Sequence, residues 1–237
     1  MLMMNKKNIL VTGSSQGIGL AIAKHFAVGF NVYILGRKKD KLEQLCKENN
    51  FAGYFAIDLS KETKIDIDID ILINNAGVYY YSPIENMKDE DILDSIKLNS
   101  IAPYMLSKAV VPYMKKQNWG RIINIGSISG VMGEANASVY SMTKASLIGL
   151  TKALALELAQ DNITVNIINP GWVDTELINN ENLEADFSKE EIIETIPQRR
   201  FVEPEQIASI CEFLISDKAK TITGQSINVC AGLSLGF

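Results

Sequence analysis

The sequence predicts an α/β fold: a doubly wound, seven-stranded parallel sheet with helices on both faces. Short apolar runs alternate with amphipathic stretches along the whole chain, which is the pattern of strands and helices that follow one another. The 237 residues, of which 47% are hydrophobic, show no break in composition, and this length suits one well-buried core. We therefore expect a single domain, residues 1–237, in which residues from about 177 to 204 form a substrate loop or lid.

The predicted elements follow these runs in order. Seven strands are predicted at residues 8–12, 31–35, 53–57, 70–74, 121–126, 164–168 and 226–229. Helical spacing of apolar residues predicts long helices at 17–28, 89–116, 140–159 and 204–216. Pro204 opens the last helix, where its missing N–H costs nothing. A short helix at 189–195, capped by Ser188, is predicted within the lid segment.

The connection after the third strand is unusually short. Only residues 59–69 separate Asp58 from Asp70, whereas a parallel crossover commonly needs about a dozen residues or more. Isoleucine alternates with charged residues over 64–69, and this period of two is typical of extended chain. We therefore predict a truncated crossover with little or no helix.

Composition excludes several classes of function. A formal net charge of −5 argues against non-specific nucleic-acid binding, because phosphate recognition requires a basic surface. Three widely spaced cysteines and a single histidine fit neither a disulfide framework nor a zinc site, so we expect reduced thiols and no metal. The sequence has no apolar run of membrane-spanning length and no recognisable signal segment. We expect a cytoplasmic protein that binds neither nucleic acid nor membrane.

A glycine-rich turn follows the first predicted strand. Glycines in such a turn let the backbone approach a ligand closely, and the helix that follows would point its free amides and positive dipole end at a pyrophosphate. A strand, this turn and a helix together predict a dinucleotide site of the Rossmann type. The residues that we expect to contact the dinucleotide here are Gly13, Ser15, Gln16, Gly17, Ile18 and Gly19.

Tyr140 and Lys144 form a candidate acid/base pair. Residues four apart lie on the same face of a helix, so the phenol and the ammonium would emerge side by side. A neighbouring cation favours the ionised phenol and should lower its pKa from an ordinary value near 10. Ser127 lies thirteen positions upstream, just past a predicted strand, where its hydroxyl could stabilise charge on a substrate oxygen.

Taken together, these motifs resemble those of the short-chain dehydrogenase/reductases. The chain carries the family's motifs in order over nearly its whole length: Thr12-Gly13-x-x-x-Gly17-Ile18-Gly19, Asn74-Asn75-Ala76-Gly77, Asn99, Ser127, Tyr140-x-x-x-Lys144 and Pro170-Gly171. Within the family it is most similar to the 3-oxoacyl-carrier-protein reductases, notably in residues 120–125 and 222–225.

The resemblance implies reversible hydride transfer between a nicotinamide cofactor and a ketone or secondary alcohol. Tyr140 would donate or remove the proton, Ser127 would hold the substrate oxygen, and Lys144 would stabilise the phenolate and bind the nicotinamide ribose. Asn99 would link Lys144 to solvent through a water. Further cofactor contacts implied by the resemblance are Asp58 and Leu59 beside the adenine, Asn75 towards the adenosine ribose, Val173 at the nicotinamide amide, and Ala76, Gly77, Pro170, Gly171 and Thr175.

The end of the second predicted strand bears on the choice of cofactor. Folds that bind NAD usually carry an acid there for the ribose 2′-hydroxyl, but this chain has Arg37, and no acid until Asp40. A guanidinium can bind a 2′-phosphate in a bidentate manner, which favours NADP(H) and leaves NAD(H) possible. Gln16 stands where many NADP-using relatives have arginine.

Substrate identity stays open at this stage. A free ketone or secondary alcohol leads, with Tyr79–Tyr81 and Trp172 offering apolar faces with polar tips. A 3-oxoacyl-carrier-protein substrate is the alternative, disfavoured because Asn118 and Asp161 stand where carrier-protein reductases tend to have arginines. A non-catalytic NADP(H) sensor or scaffold is a third possibility. The resemblance also implies a homotetramer or dimer built on helices 89–116 and 140–159.

Overall fold

Seven parallel strands form one sheet in the computed structural model, which describes residues 6–175 and 188–235. The strand order is β3-β2-β1-β4-β5-β6-β7, and every neighbouring pair is parallel. The strands are β1 Asn8–Thr12, β2 Asn31–Gly36, β3 Gly53–Ala56, β4 Ile71–Asn74, β5 Gly120–Ile125, β6 Ile163–Pro170 and β7 Ser226–Val229. The predicted α/β fold with a seven-stranded parallel sheet is confirmed, and most strand ends lie within one residue of the prediction.

Helices cover both faces of this sheet. Side chains that alternate along the central strands feed two separate cores: Ile9 and Val11 of β1 belong to one and Leu10 to the other. In the described ranges the α-helices are α1 Gly17–Phe26, α2 Lys39–Asn49, α3 Asp89–Ile96, α4 Ala102–Gln117, α5 Ser129–Met132, α6 Ser138–Leu158, α7 Lys189–Thr195 and α8 Pro204–Ile215. Helices α1, α2 and α8 pack on the first core, and α4 and α6 on the second.

The sheet reverses its winding between β1 and β4. From β1 the strand order runs outward to β3 on one side, and from β4 it runs outward to β7 on the other. At such a switch point the loops after the two strands separate, which leaves a crevice at the carboxyl ends of the strands. Both the glycine-rich turn after β1 and the loop after β4 begin at this crevice.

One predicted helix is interrupted. Residues 89–116 are helical as predicted, but a π-helical turn, Lys97–Ile101, separates α3 from α4. This turn contains the buried Asn99, whose side chain bonds to backbone outside the helix. π-Turns inside helices occur frequently at functional sites. A local pattern of apolar residues could not reveal the extra residue, because its position depends on a contact with a distant loop.

The short crossover between β3 and β4 contains no helix, as predicted. Ile65 and Ile67 are partly buried and Ile69 is fully buried, all against the core that α4 and α6 cover. The intervening Asp66 and Asp68 are exposed. The alternating segment therefore covers part of the sheet face in an extended conformation, where a crossover helix would otherwise lie.

The segment before α8 is described only in part. Residues 177–187 of the predicted lid lie outside the described residues. The predicted helix at 189–195 is confirmed as α7, and Ser188 caps it: its hydroxyl accepts from the Glu191 amide, while the Glu191 carboxylate accepts from the Ser188 amide. Among the described helices, none combines the length and the apolar character needed to cross a membrane.

The alternating crossover generates a stability prediction. The side chain of Ile69 is fully buried. Ile69→Ala should lower the free energy of unfolding by about 2 to 4 kcal/mol, because the truncated side chain leaves a cavity in the core. Asp68→Ala, one residue away and exposed, should change it by less than about 0.5 kcal/mol. Urea denaturation of both variants checks the difference, and equal losses would show that the isoleucines do not anchor the segment.

Candidate active site

A cleft of about 480 Å³ opens at the carboxyl ends of β1, β4, β5 and β6. A second cavity of about 270 Å³ lies on the β2 and β3 side of the glycine-rich turn. The two cavities share a wall formed by Gly13, Gln16, Ala76, Gly77 and Val78. Together they make one elongated crevice across the point where the sheet reverses its winding, which is where open α/β sheets bind ligands.

Lys144 lies at the base of the larger cavity. It projects from α6, is buried, and donates a hydrogen bond of 2.9 Å from Nζ to the carbonyl oxygen of Ile125, the last residue of β5. Burial lowers the pKa of Lys144 to about 8, because a low-dielectric environment disfavours the charged amine. The lysine thus ties α6 to the end of the central strand and brings a titratable group to the cleft floor.

Tyr140 lies beside Lys144 but does not have the lowered pKa that we expected. The Lys144 amine is 5.6 Å from the centre of the phenol ring and is directed at Ile125. Burial raises the pKa of Tyr140 to about 12, the Ser127 hydroxyl opposes this, and the Glu134 carboxylate adds to the rise. The spacing along the helix brings the two groups to one side of α6, but burial and not Lys144 decides the pKa of the phenol. In this state the phenol holds its proton.

Ser127 occupies the loop directly after β5. Its oxygen accepts from the Ser129 amide at 3.1 Å, and its hydroxyl donates to the Ser129 hydroxyl at 3.1 Å. The amide contact holds the Ser127 oxygen in place at the entrance to α5. Tyr140 and Ser127 line the same cavity, and Ser127 influences the pKa of Tyr140, so the two hydroxyls suit a single substrate oxygen.

Asn99 lies one layer behind Lys144. Its side-chain oxygen accepts from the Val78 amide at 2.8 Å, and its nitrogen donates to the Val78 carbonyl at 2.9 Å and to the Thr143 hydroxyl at 3.1 Å. A methyl group built at Gly77 would lie 3.1 Å from the Asn99 oxygen and 3.5 Å from the Lys144 nitrogen. Asn99 therefore fixes the loop after β4, and only the small Gly77 separates it from the lysine.

The glycine-rich turn after β1 fits a dinucleotide phosphate. Gly13 has a left-handed φ of +64°, and a Cβ there would lie 2.7 Å from the Ala76 backbone. A Cβ on Gly19 would lie 2.5 Å from both Asn75 Nδ2 and the Gly13 carbonyl. The side chain of Gln16 makes no capping hydrogen bond to α1, so the first-turn amides at Gly17 and Ile18, which line the cleft, have no side-chain cap.

Asn75 has a different position from the one we expected. Its side-chain nitrogen donates to the carbonyls of Thr12 and Gly13, at 3.0 and 3.2 Å. It lines the larger cavity and not the one that contains Arg37. The side chain therefore joins the loop after β4 to the glycine-rich turn, where we expected a contact with the adenosine ribose.

The smaller cavity combines cations with one paired acid. Arg37, Lys38 and Lys41 line it, together with the predicted contacts Ser15 and Leu59. Asp58 also lines it. The Ser60 hydroxyl, and more weakly Lys61 at 3.4 Å, lower the pKa of the Asp58 carboxyl. The sequence did not indicate Lys41 as a site residue. Its place beside Arg37 is visible only in the fold, where the first turn of α2 lies next to the end of β2.

Three of the remaining predicted contacts line the larger cavity. These are Pro170, Gly171 and Val173 at the end of β6, and Trp172 stands between them. Thr175 does not line the cavity, but its methyl group faces Gly17, where an added Cβ would lie 3.5 Å away. The segment after β6 therefore closes the cleft opposite the turn after β1.

A carboxylate network on the wall of the cleft was not predicted. Glu134 accepts a 2.6 Å hydrogen bond from the Ser129 hydroxyl and a 2.8 Å bond from the Tyr79 hydroxyl. The ring of Tyr79 packs edge-on against that of Tyr140, with 4.9 Å between centres. The sequence predicts a polar tip on Tyr79 but not its partner, because Glu134 lies 55 residues further along the chain.

Comparison with known proteins gives relatives that match over almost the full length. The family model for short chain dehydrogenases matches residues 7–186. An uncharacterised oxidoreductase of Bacillus subtilis is 38% identical, with 97% of this chain and 98% of the relative covered. A 3-oxoacyl-[acyl-carrier-protein] reductase of Staphylococcus epidermidis is 39% identical, with 96% and 98% covered.

Solved structures show the same fold. A variant of the actinorhodin polyketide ketoreductase, crystallised with NADPH, superimposes with a TM-score of 0.88 at 31% identity and 97% coverage of both chains. A 3-ketoacyl-(acyl-carrier-protein) reductase of Brucella melitensis, in complex with NADH, superimposes with a TM-score of 0.88 at 30% identity, covering 97% of this chain and 99% of the other. The family model, the full-length relatives and the fold together show that this chain belongs to the short-chain dehydrogenase family.

Proposed function

We propose that the chain is an NADP(H)-dependent oxidoreductase that interconverts a ketone and a secondary alcohol. The observation that carries the proposal is that Tyr140 and Ser127 line the same cleft, with the buried Lys144 beside them. A nicotinamide cofactor would supply or accept the hydride when bound. The glycine-rich turn and the segment after β6 are the elements that would hold it, because both line the cleft.

Tyr140 is the proposed proton donor in the reductive direction. Burial keeps its phenol protonated at neutral pH, so the group is ready to give a proton to a carbonyl oxygen that gains electrons. Ser127 would hold that oxygen against the phenol and stabilise its developing charge. In the oxidative direction Tyr140 must first lose its proton, which a positive charge close to the phenol would favour.

Lys144 and Asn99 are proposed as supporting groups. The amine of Lys144, held by the Ile125 carbonyl, would stabilise negative charge on Tyr140 and bind the hydroxyls of the nicotinamide ribose. Asn99 holds the Val78 backbone and the Thr143 hydroxyl. We therefore propose that Asn99 holds the loop after β4 and helix α6 in place around Lys144. We also propose that Asn99 links Lys144 to solvent through a water.

The charges of the smaller cavity support NADP(H). Three cations, Arg37, Lys38 and Lys41, line this cavity, and its carboxylate Asp58 is engaged by Ser60 and Lys61. A ribose 2′-phosphate would find several positive partners here, whereas a 2′-hydroxyl needs none of them. The structural relatives include both an NADPH complex and an NADH complex, so we keep NAD(H) as the alternative cofactor.

Reduction of a 3-oxoacyl group on acyl carrier protein is the second candidate. A relative named as such a reductase is 39% identical, with 96% of this chain covered. The surface expected to meet the acidic carrier is not basic, since Asn118 stands at the end of α4 and Asp161 follows α6. Asp161 lies 3.2 Å from Lys115, so its charge is paired and that patch gains no net positive charge from the lysine.

A non-catalytic NADP(H) sensor is disfavoured by the arrangement in the cleft. A protein that only binds the cofactor needs no pair of hydroxyls converging beside a buried amine. Cofactor titration followed by a panel of ketones, sugars, steroids and acyl thioesters separates the three candidates. Binding without turnover of any carbonyl would favour the sensor, and turnover confined to acyl thioesters would favour the second candidate.

The predicted homo-oligomer has support in exposed apolar side chains. Leu93 on α3, Tyr104 on α4 and Leu156 on α6 are 56%, 51% and 84% exposed. Helices α3, α4 and α6 lie next to one another along one face of the molecule. We propose that this face meets the same face of a second copy about a two-fold axis.

Removal of the Tyr140 hydroxyl tests the proton-transfer assignment. Tyr140→Phe should lower kcat for ketone reduction by about 100- to 10,000-fold, because the general acid is lost. The Kd for NADP(H), measured by cofactor fluorescence, should change little. Tyr54→Phe, which removes a phenol hydroxyl on β3 outside both cavities, serves as the matched control. An active Tyr140→Phe enzyme would remove this residue from the mechanism.

Charge reversal at Arg37 tests the cofactor assignment. Arg37→Asp should raise the Kd for NADPH and lower the NADPH-to-NADH ratio of kcat/KM by about tenfold or more, because a carboxylate repels the 2′-phosphate and accepts from a 2′-hydroxyl. Lys218→Asp, an exposed charge reversal outside both cavities, should leave the ratio unchanged. An unchanged ratio in both variants contradicts the role of Arg37.

The pH dependence of the melting temperature tests whether burial lowers the pKa of Lys144. Its pKa of about 8 in the folded chain lies below its ordinary value of 10.5. Between these pH values the unfolded chain binds more protons, so this group makes stability rise with pH across the window. Methionine does not titrate, so Lys144→Met lacks this rise of stability with pH. The Tm of this variant relative to wild type should therefore be several degrees higher at pH 7 than at pH 10.

The matched control for this measurement is Lys152→Met, which changes an exposed lysine on the same helix. Its Tm relative to wild type should be the same at both pH values. A Lys144→Met difference that does not depend on pH would mean that the buried amine titrates normally.

A further inference from the structure

The wall of the cleft next to Ser127 carries an acid that the proposed chemistry does not use. The loop between α5 and α6 turns at Gly133, which has a φ of +82°, and directs Glu134 into the cleft. The hydroxyl of Ser141 lies 3.1 Å from the Glu134 amide and helps to fix this loop. Among the described residues that line the larger cavity, Glu134 is the only carboxylate.

The partners of Glu134 are hydroxyl groups. The Ser129 hydroxyl and the Tyr79 hydroxyl each donate to one of its two oxygens. Burial and the bond to Glu134 raise the pKa of Tyr79 well above its ordinary value, so this phenol stays a donor. The nearest cation in the cleft lining is Lys144, whose amine is engaged by Ile125. The carboxylate therefore faces the cleft as a negative group held by neutral donors.

The carboxylate still has room to accept from a ligand. A carboxylate offers about four acceptor sites on its two oxygens, and Tyr79 and Ser129 use one on each oxygen. Two hydrogen bonds, Ser127 to Ser129 and Ser129 to Glu134, connect it with the proposed site of the reacting oxygen. A substrate group bound by Glu134 would therefore lie close to the carbonyl carbon.

We infer that Glu134 is a specificity-determining residue that accepts a hydrogen bond from a substrate hydroxyl beside the reacting carbonyl. The substrates selected in this way are neutral hydroxyketones and the corresponding diols. A ketone with a carboxylate at the same place is rejected by like-charge repulsion in a partly desolvated cleft. A plain ketone is accepted less well, because it leaves the carboxylate without the donor that it meets in water.

The apolar part of the cleft sets the other half of the substrate. Val78, Ile128, Met132, Trp172 and Leu233 line the same cavity as Glu134. A substrate with a hydroxyl on one side of its carbonyl and a hydrocarbon group on the other matches both walls. This inference rests on the proposed function, since it assumes that Ser127 and Tyr140 bind the carbonyl oxygen.

The test compares three four-carbon ketones that differ at one carbon: 1-hydroxybutan-2-one, butan-2-one and 2-oxobutanoate. With NADPH, kcat/KM of the wild-type enzyme should be highest for the hydroxyketone, about 10- to 100-fold lower for butan-2-one, and lowest for the keto acid. Glu134→Gln keeps the shape of the side chain and removes its charge. In this variant the preference for hydroxyketone over keto acid should fall by about tenfold or more.

Two further variants separate a specific role from a general one. Glu62→Gln removes an exposed charge in the β3–β4 crossover and should leave all three kcat/KM values unchanged. Ser129→Ala removes one donor to Glu134 but keeps the carboxylate, so the order of the three ketones should persist. Melting curves show whether Glu134→Gln is folded. If it is not, the order of kcat/KM for the three ketones in the wild type and in Ser129→Ala still tests the inference.

The outcomes distinguish this inference from the proposed function. If the wild-type enzyme turns over the ketone panel but shows no preference for the hydroxyketone, the inference is overturned and the proposed function stands. The same holds if Ser129→Ala, and not Glu134→Gln, abolishes the preference. If cofactor binds and no carbonyl compound is turned over, both are overturned. A preference that weakens only in Glu134→Gln supports both.

Discussion

The hydrogen bond from the Lys144 amine to the Ile125 carbonyl is the contact on which the cleft depends. It joins the first third of α6 to the last residue of β5, and so aligns the helix that carries Tyr140 with the loop that carries Ser127. The carbonyl at the end of a parallel strand has no further ladder partner, and a buried amine satisfies it. The same bond holds the Lys144 amine 5.6 Å from the centre of the Tyr140 ring. One contact therefore both satisfies the backbone carbonyl and sets the geometry proposed for catalysis.

Around this contact, backbone groups and small residues organise the loops that meet at the crevice. Asn75 ties the loop after β4 to the turn after β1, and Asn99 ties it to the π-turn between α3 and α4. Gly13 and Gly77 allow these loops to approach one another. Two asparagines that the family motifs assign to the active site thus hold the loops together, while the hydroxyls and the carboxylate in front of them face the cleft. These contacts make the cleft wall rigid, and a rigid wall would restrict the movement of a bound substrate.

Much of the fold was predictable because it depends on local patterns. Buried parallel strands give apolar runs, the crossover at 64–69 shows its extended form by a period of two, and Ser188 with Glu191 marks the start of a short helix. Features that depend on distant groups were not predictable from local patterns. The π-turn contains Asn99, which bonds to Val78, a residue in the loop after β4. The pKa of Tyr140 follows burial, which no pair of residues in sequence reports. Glu134 meets Tyr79 across 55 residues.

The sequence by itself determined the family motifs, the order of strands and helices, and which side chains carry the proposed proton transfer, because helix and strand periods and glycine-dependent turns are encoded by neighbouring residues. Only the tertiary structure decided the electrostatics of the cleft: which groups are desolvated, which cations line the smaller cavity, and that a carboxylate lines the larger one. These properties depend on the dielectric and the partners created when distant segments pack, and the linear order of residues does not specify either quantity.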